Sequence, residues 1–345
     1  MSETDKGRVV LTHGRSLQAL AAAQSLGRQG IEVIGCDEAS MTVLDFSRYV
    51  HATFTHPPER DREGFLLGLI KGIEQHRPED GRPYVLMPMH REALVLAEAR
   101  DRLEPHIRLA LPDQKSIDRV FPKDRLIETS RELELPIPET TILDAQTSAD
   151  QVDTGSLEFP LFTKPTVGAG GRGIRRVEKA VDLEEAVAEA RSVDPSGRVL
   201  IQSFIEGDNY CFTGLFEGGR MRAHMTYRNL RTFPGDSGPG VIRETVEAEP
   251  ARRIAEKLMA SIRWHGVAQV DFRWTGEPSD DPVLIEVNPR FWSGLFQSLE
   301  SGVDYPWLLY RLMVEGTVPD APPPALGTRT KVPLLVALSA IESFL

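Results

Sequence analysis

The sequence predicts an α/β unit followed by α+β lobes, and three stretches carry that prediction. Residues 8–13, 16–29 and 31–36 alternate strand, helix and strand, the opening of a parallel sheet with helices on both faces. Between residues 159 and 177, four glycines fall in the six positions from Gly168 to Gly173, flanked by apolar runs. Residues 267–273 and 283–290 are apolar runs that carry isolated acids and amides. A chain of 345 residues is long enough for two or three domains with cores of their own.

Taken in order, the first helix has its apolar residues at helical spacing (Leu17, Leu20, Ala21, Leu26) and is closed by Gly30. Residues 47–54 continue the unit. A helix over 65–75, a strand over 84–89, a helix over 92–103 and a short strand over 109–111 complete it. The first domain is expected to span residues 1–115. Residues 116–134 read as helix interrupted at Phe121-Pro122, and Pro136-Ile137-Pro138 as a stiff extended linker. Strands at 140–143 and 159–163, a helical turn at 148–153, a strand at 174–177, a helix at 182–191 and a strand at 199–204 make a small lobe, residues 116–202. A larger lobe over 203–318 follows. It has a hairpin of 210–216 with 221–227, an irregular Gly/Pro-rich stretch over 228–240, a helix at 250–262, strands at 266–274 and 282–287, and a helix at 307–314. A proline-rich linker at 319–324 leads to a further helix at 331–345, and the chain is allowed to continue in a longer parent.

Composition narrows the function classes. The formal net charge of −11 argues against a general nucleic-acid binder. No run approaches the ~20 apolar residues needed to span a bilayer. The polar N-terminus is not a signal peptide. Cys36 and Cys211 lie far apart, form no metal-ligand pattern and read as buried thiols, which fits a reducing cytoplasm. His13 reads as a turn residue.

In the glycine-rich stretch the first run ends at Lys164. Glycines allow positive φ and close backbone approach, so such a loop can aim N–H groups at phosphate oxygens, with Lys164 adding a point charge. Gly168, Gly170 and Gly173 also match G-x-G-x-x-G, but that dinucleotide fingerprint needs a helix directly after the loop, and the residues that follow read as a strand. A glycine hairpin without a ligand is the competing reading.

In the last pair of strands, alternation puts Glu286 and Asn288 on one face, and Gln269, Asp271 and Arg273 on one face of their own strand. Symmetric pairing across the turn at 275–281 sets Trp274 opposite Val283 and Asp271 opposite Glu286. Opposed carboxylates destabilise a sheet unless a cation lies between them, and carboxylates with an amide suit Mg²⁺ (or Mn²⁺). A solvated sheet face with scattered charge is the alternative.

Lys123, Lys164 with its glycine loop, Gln202-Ser203-Phe204-Ile205-Glu206-Gly207, and Asp271 followed by Glu286-x-Asn288-x-Arg290 come in a set order. That series resembles the ATP-grasp superfamily, and within it the carboxylate–amine ligase-like members related to biotin carboxylase and D-alanine–D-alanine ligase. The resemblance implies an ATP-grasp fold behind a Rossmann-like pre-ATP-grasp domain. It implies that Lys123 and Lys164 hold phosphates, that Gly168, Gly170, Gly171 and Gly173 close over the triphosphate, and that Gln202, Phe204 and Ile205 form the adenine-binding hinge. Asn209 stands where the family often has a ribose-contacting acid. Asp271, Glu286 and Asn288 are implied magnesium ligands, and Arg290 a stabiliser of the transferring phosphoryl group. Gln202 and Asp271 occupy positions where many members have Glu.

The implied reaction is ATP-dependent and ADP-forming: a carboxylate becomes an acyl phosphate, and an amine, such as an amino acid, displaces the phosphate. Arg228 and Arg231 are candidates to grip the substrate carboxylate, with surface arginines as the alternative. The other functions weighed are an ATP-dependent carboxylase component activating bicarbonate and a nucleotide-binding regulatory protein without turnover. Small-molecule partners are expected, no nucleic acid and no membrane, and a homodimer is allowed.

Overall fold

The computed structural model describes residues 6–149, 157–168, 171–235 and 238–342. The first unit comprises β1 (Arg8–Leu11), α1 (Leu17–Arg28), β2 (Glu32–Asp37), β3 (Val50–Thr55), α2 (Arg62–Gln75), β4 (Tyr84–Met87), α3 (Glu92–Glu98), α4 (Arg100–Leu103) and β5 (Arg108–Leu109). Its strands are all parallel, in the order β3-β2-β1-β4-β5. The inner strands β2, β1 and β4 are buried on both faces because helices cover both, whereas the edge strand β3 alternates half-buried and exposed residues. Val9, Leu11 and Val33 pack with Ala22 and Leu26 of α1, whereas Val10, Ile34 and Leu86 pack with Phe65 and Leu69 of α2. Ser16 caps α1 by accepting from the Ala19 amide, and Gly30 follows its end at φ 81°.

The second unit adds α5 (Gln114–Ile117), α6 (Lys123–Glu132), β6 (Thr140–Leu143), β7 (Leu161–Pro165), β8 (Arg175–Val177), α7 (Leu183–Val193) and β9 (Val199–Ser203). Its antiparallel sheet has the order β6-β9-β7-β8. One face is sealed by α7, where Ala186, Val187 and Ala190 meet Leu161, Val199 and Ile201. The other face carries Phe162 and Lys164 and borders the cleft. The helical turn expected at 148–153 falls largely outside the described residues.

The third unit contains β10 (Asp208–Glu217), β11 (Arg220–Thr232), β12 (Gly240–Val246), α8 (Glu249–Ser261), β13 (Gly266–Trp274), β14 (Val283–Asn288), α9 (Leu295–Glu300), α10 (Tyr305–Glu315), β15 (Arg329–Lys331) and α11 (Pro333–Glu342). The sheet order is β14-β13-β10-β11-β12-β15, antiparallel throughout. The expectation of irregular chain over 228–240 is corrected here. β11 runs on to Thr232 and β12 starts at Gly240. The charges that broke the apolar pattern are satisfied across strands, with Arg228 opposite Glu244. The third unit is tied to the first by packing of Trp264 and Leu258 into the same core as α2, and by the Tyr310 hydroxyl, which accepts from the Gly7 amide at 2.8 Å. No helix among the described residues is long and apolar enough to cross a membrane.

Candidate active site

A cavity of about 450 Å³ opens between the three units. The third unit forms its floor. β13 and β14 place Asp271 opposite Glu286, as symmetric pairing predicts, but the way the strands reach that register differs. Val283 lies opposite Arg273, not Trp274, and a bulge leaves Ile285 as the extra residue between Leu284 and Glu286. The bulge absorbs the one-residue offset, so the two carboxylates still meet.

The electrostatics there are unbalanced. Burial, then the neighbouring Glu286, pushes the Asp271 carboxyl up to about 7, and its Oδ1 is buried without a hydrogen-bond partner. Asp271 Oδ2 accepts from Asn288 Nδ2 at 3.2 Å, while Asn288 Oδ1 accepts from Arg290 Nη2 at 2.9 Å. Glu286 Oε1 pairs with Lys123 Nζ at 2.9 Å. Burial works against the Glu286 carboxylate, but the Lys123 ammonium outweighs it and holds Glu286 below the usual range. Desolvation lowers the Arg290 guanidinium.

The roof is β7 and its glycine turn. Lys164 is pushed down to about 8, by burial first and by the Lys123 charge second. Lys123 is itself buried at the start of α6; its amide donates to Thr166 O at 3.0 Å and its Nζ lies 3.5 Å from Gly168 O. Gly171 and Gly173 adopt φ 77° and 71°, the left-handed region that their type allows cheaply. β8 follows the turn directly, so G-x-G-x-x-G here has no helix N-terminus behind it. The base of the turn is fixed by Asp194, which accepts from the Thr166 hydroxyl at 2.6 Å and the Val167 amide at 2.9 Å.

A profile described as the ATP-grasp domain matches residues 123–294. Those residues are an ATP-grasp domain. D-alanine–D-alanine ligase of Mycobacterium ulcerans is 29% identical over 208 residues, 51% of this chain and 52% of that enzyme. The homologous ligase of Mycolicibacterium gilvum is 28% identical over 335 residues, 88% of this chain and 78% of that enzyme. The large chain of carbamoyl phosphate synthase from Methanothermobacter thermautotrophicus is 28% identical over 66% of this chain, and only 22% of that large chain is covered. The chain thus spans about half or less of the length of the first curated relatives it matches. Among solved structures, biotin carboxylase of Campylobacter jejuni superposes with a TM-score of 0.74 at 17% identity, over 93% of this chain and 74% of that one. The biotin carboxylase domain of Hydrogenobacter thermophilus 2-oxoglutarate carboxylase gives 0.71 at 18%, over 90% and 70%, in a complex with MgADP and bicarbonate. An L-amino acid ligase of Bacillus licheniformis gives 0.68 at 18%, over 90% and 74%. The fold is shared across all three.

The ATP-grasp cleft collects most of the residues that the sequence singles out. Lys164, Gly171, Ile205, Asn209, Asp271, Glu286, Asn288 and Arg290 line it, and Lys123 reaches it through Glu286. Gly170 lies outside the described residues. Gly168 and Gly173 flank the turn. Gln202 is on the cleft-facing side of β9 but buried, its Nε2 donating to Thr140 Oγ1 at 2.9 Å. Phe204 stacks near Phe162 at 6.1 Å under the Arg176 guanidinium.

Two candidates sit elsewhere. Arg228 lies between the cleft residues Tyr227 and Asn229, so alternation turns it to the far face of β11, where it pairs with Glu244 at 3.3 Å and Asp208 at 3.5 Å. Arg231 donates to Ser339 O of α11 at 2.7 Å. The structure brings neither to the carboxylates.

Sequence reasoning missed Gln269 and Tyr227, linked by a 2.9 Å hydrogen bond under the cleft, and His13 and His90, which enter it from the first unit. The position of the two histidines at the ends of β1 and β4 was the available signal.

The donor set fits a hard divalent cation: two opposed carboxylates, one with an orphaned buried oxygen, beside an amide that needs only half a turn to present its oxygen.

Proposed function

We propose that the chain is an ATP-dependent, ADP-forming ligase that activates a carboxylate as an acyl phosphate and joins it to an amine. The observation that carries this is the single cleft in which Lys164 and Lys123 face the opposed Asp271 and Glu286 pair, with Arg290 alongside. Phosphoryl transfer asks for in-line positioning and positive charge over the equatorial oxygens rather than covalent help. Here Lys164 and Lys123 are held for the nucleotide phosphates, and Arg290 is held by Asn288 and Phe291 O beside the carboxylates. Asp271, Glu286 and Asn288 would hold Mg²⁺, which supplies charge neutralisation on the phosphates when bound.

A substrate carboxylate oxygen then attacks the γ-phosphorus, the bond to ADP breaks, and an amine displaces phosphate from the acyl carbon. With Arg228 turned to the far face, the guanidiniums that line this cleft among the described residues are those of Arg290, held by Asn288 and Phe291 O, and Arg273, which donates to Gly207 O at 2.9 Å.

The test is ADP and phosphate release across a matrix of small acids and amino acids with MgATP. Turnover that requires both an acid and an amine supports the ligase. Bicarbonate belongs in the matrix because a fold relative was solved with MgADP and bicarbonate. Release with bicarbonate alone favours the carboxylase alternative, and no release with any pair overturns catalysis of this type.

A further inference from the structure

The strand order of the first sheet reverses between β1 and β4, and His13 and His90 stand just past the carboxyl ends of those two strands. In open α/β sheets ligands bind at that reversal. The two imidazoles stack with centroids 4.5 Å apart and planes 13° apart. His13 adopts φ 52°, a left-handed conformation that is strained for a non-glycine residue and clusters at functional sites.

Behind the imidazoles is Glu92, only 2% exposed. Its Oε1 accepts from the Thr12 hydroxyl, the Met89 amide at 3.0 Å and the His90 amide at 2.8 Å, while Oε2 is buried with no partner. One nitrogen of each ring and one Glu92 oxygen lie within 4.8 Å of one another. An unpartnered buried carboxylate oxygen is costly in a resting protein and calls for an explanation.

The pair also separates two chambers. Both histidines line the nucleotide cleft, and both line a neighbouring cavity of about 630 Å³ in the first unit. That cavity is walled by Asp37, Glu38, Glu59 and Glu92 against Arg15, Arg60 and Arg91, four carboxylates to three guanidiniums. Arg15 is committed to Asp37 and Glu38, and Arg91 to Glu59 at 3.7 Å. That leaves Glu92, behind the two imidazoles, as the wall carboxylate without a guanidinium partner.

We propose that this cavity admits the amine substrate, arriving as an ammonium ion, and that the His13–His90–Glu92 cluster takes the proton it must lose. The inference rests on the ligase reading above. The ammonium gives one proton to an imidazole nitrogen. The freed lone pair forms the C–N bond to the acyl carbon, the C–O bond to phosphate breaks, and phosphate leaves with that electron pair and the second amine proton. The stacked pair holds one proton, and the resulting imidazolium donates to Glu92 Oε2. Burial, then the Arg290 charge, holds His90 down at about 4, and burial lowers His13. An acyl phosphate over Arg290 offsets that charge, the second of these causes, and Glu92 favours the imidazolium, so the pair is more basic with the intermediate than without it.

The test compares two nucleophiles on the acyl phosphate: hydroxylamine, largely unprotonated at neutral pH and in need of no base, and the best amine from a panel of the standard amino acids. The ratio of amine-dependent to hydroxylamine-dependent turnover is measured in wild type, His13→Gln, His90→Gln and Glu92→Gln. The expected result is a fall in that ratio of about 10²-fold in His90→Gln, with smaller falls in the other two. An unchanged ratio, both rates falling together, or hydroxamate formation with no amine accepted overturns the inference while leaving acyl-phosphate chemistry standing. A ratio restored by added Zn²⁺ and lost to a chelator that spares Mg²⁺ overturns it in favour of a metal centre. No hydroxamate from wild type with any acid overturns the ligase reading, and this inference with it.

Discussion

The six-stranded sheet carries charge in two places, and the two are built on opposite principles. On the far side of β11 and β12, Arg228 sits between Asp208 and Glu244, and Glu244 also takes Arg329 at 2.7 Å. Each carboxylate there faces a guanidinium, so no cation is called for, although the Arg228 Nε is itself buried without a partner. On β13 and β14 like charge faces like: Asp271 stands opposite Glu286, one oxygen of the pair is orphaned, and the carboxyl is driven up to about 7 by burial and its neighbour. A balanced cluster is complete without a ligand, whereas a frustrated one is held together by the rest of the fold until something arrives. The two differ in burial and in which signs the sheet register sets opposite each other.

That contrast can be broken or sharpened by experiment. The largest effect is expected from Glu286→Gln or Lys164→Ala, each lowering ADP formation by at least about 10²- to 10³-fold. Circular dichroism and the unfolding midpoint should show an intact fold, and undiminished turnover in either variant removes the frustrated cluster from the chemistry. Next is Asp194→Ala, which strips the Thr166 hydroxyl and Val167 amide of their shared acceptor and should cost about 2 kcal/mol by denaturant unfolding. The Asp194 carboxyl is held low by these donors despite its burial, so wild type should keep this stability above the unfolded carboxylate pKa and lose it as pH falls through the lower folded value. In Asp194→Ala that part of the acid limb should flatten.

A third measurement is ADP affinity against pH. Lys164 is charged below about 8 and loses its charge above, so affinity should weaken as pH rises through that value, and in Lys164→Arg it should not. The smallest effect belongs to the balanced cluster. Arg228→Gln should leave turnover within about twofold of wild type and cost no more than ~1 kcal/mol in stability, since Glu244 keeps Arg329 as a partner. A hundredfold loss of turnover would bring Arg228 back to the substrate.

Much of this was legible in the chain. The βαβ opening announces itself through short apolar runs around a capped helix. The pairing of Asp271 with Glu286 follows from alternation and turn length, and Lys164 and the glycine turn from a strand that ends in charge. What stayed hidden depends on parity and distance. Tyr227 and Arg228 are adjacent in sequence but on opposite faces, and no local signal says which face meets the cleft. β12 has no strand signal in the sequence because its Arg243 and Glu244 break an apolar pattern that cross-strand partners repair. Ile285 looks like any strand residue until pairing makes it the odd one out. His13 and His90 are 77 positions apart, and only the parallel order of β1 and β4 makes them neighbours.

The 2.9 Å contact between Lys123 and Glu286 has one more consequence. A tethered ammonium already holds one oxygen of that carboxylate, so a free divalent ion would compete with it and, on displacing it, leave it without a partner. With a magnesium–nucleotide complex, Glu286 would turn to the metal as Lys123 turned to the phosphates, both in a single exchange. Metal alone should therefore bind poorly, nucleotide alone poorly, and the two together far better than their separate affinities predict.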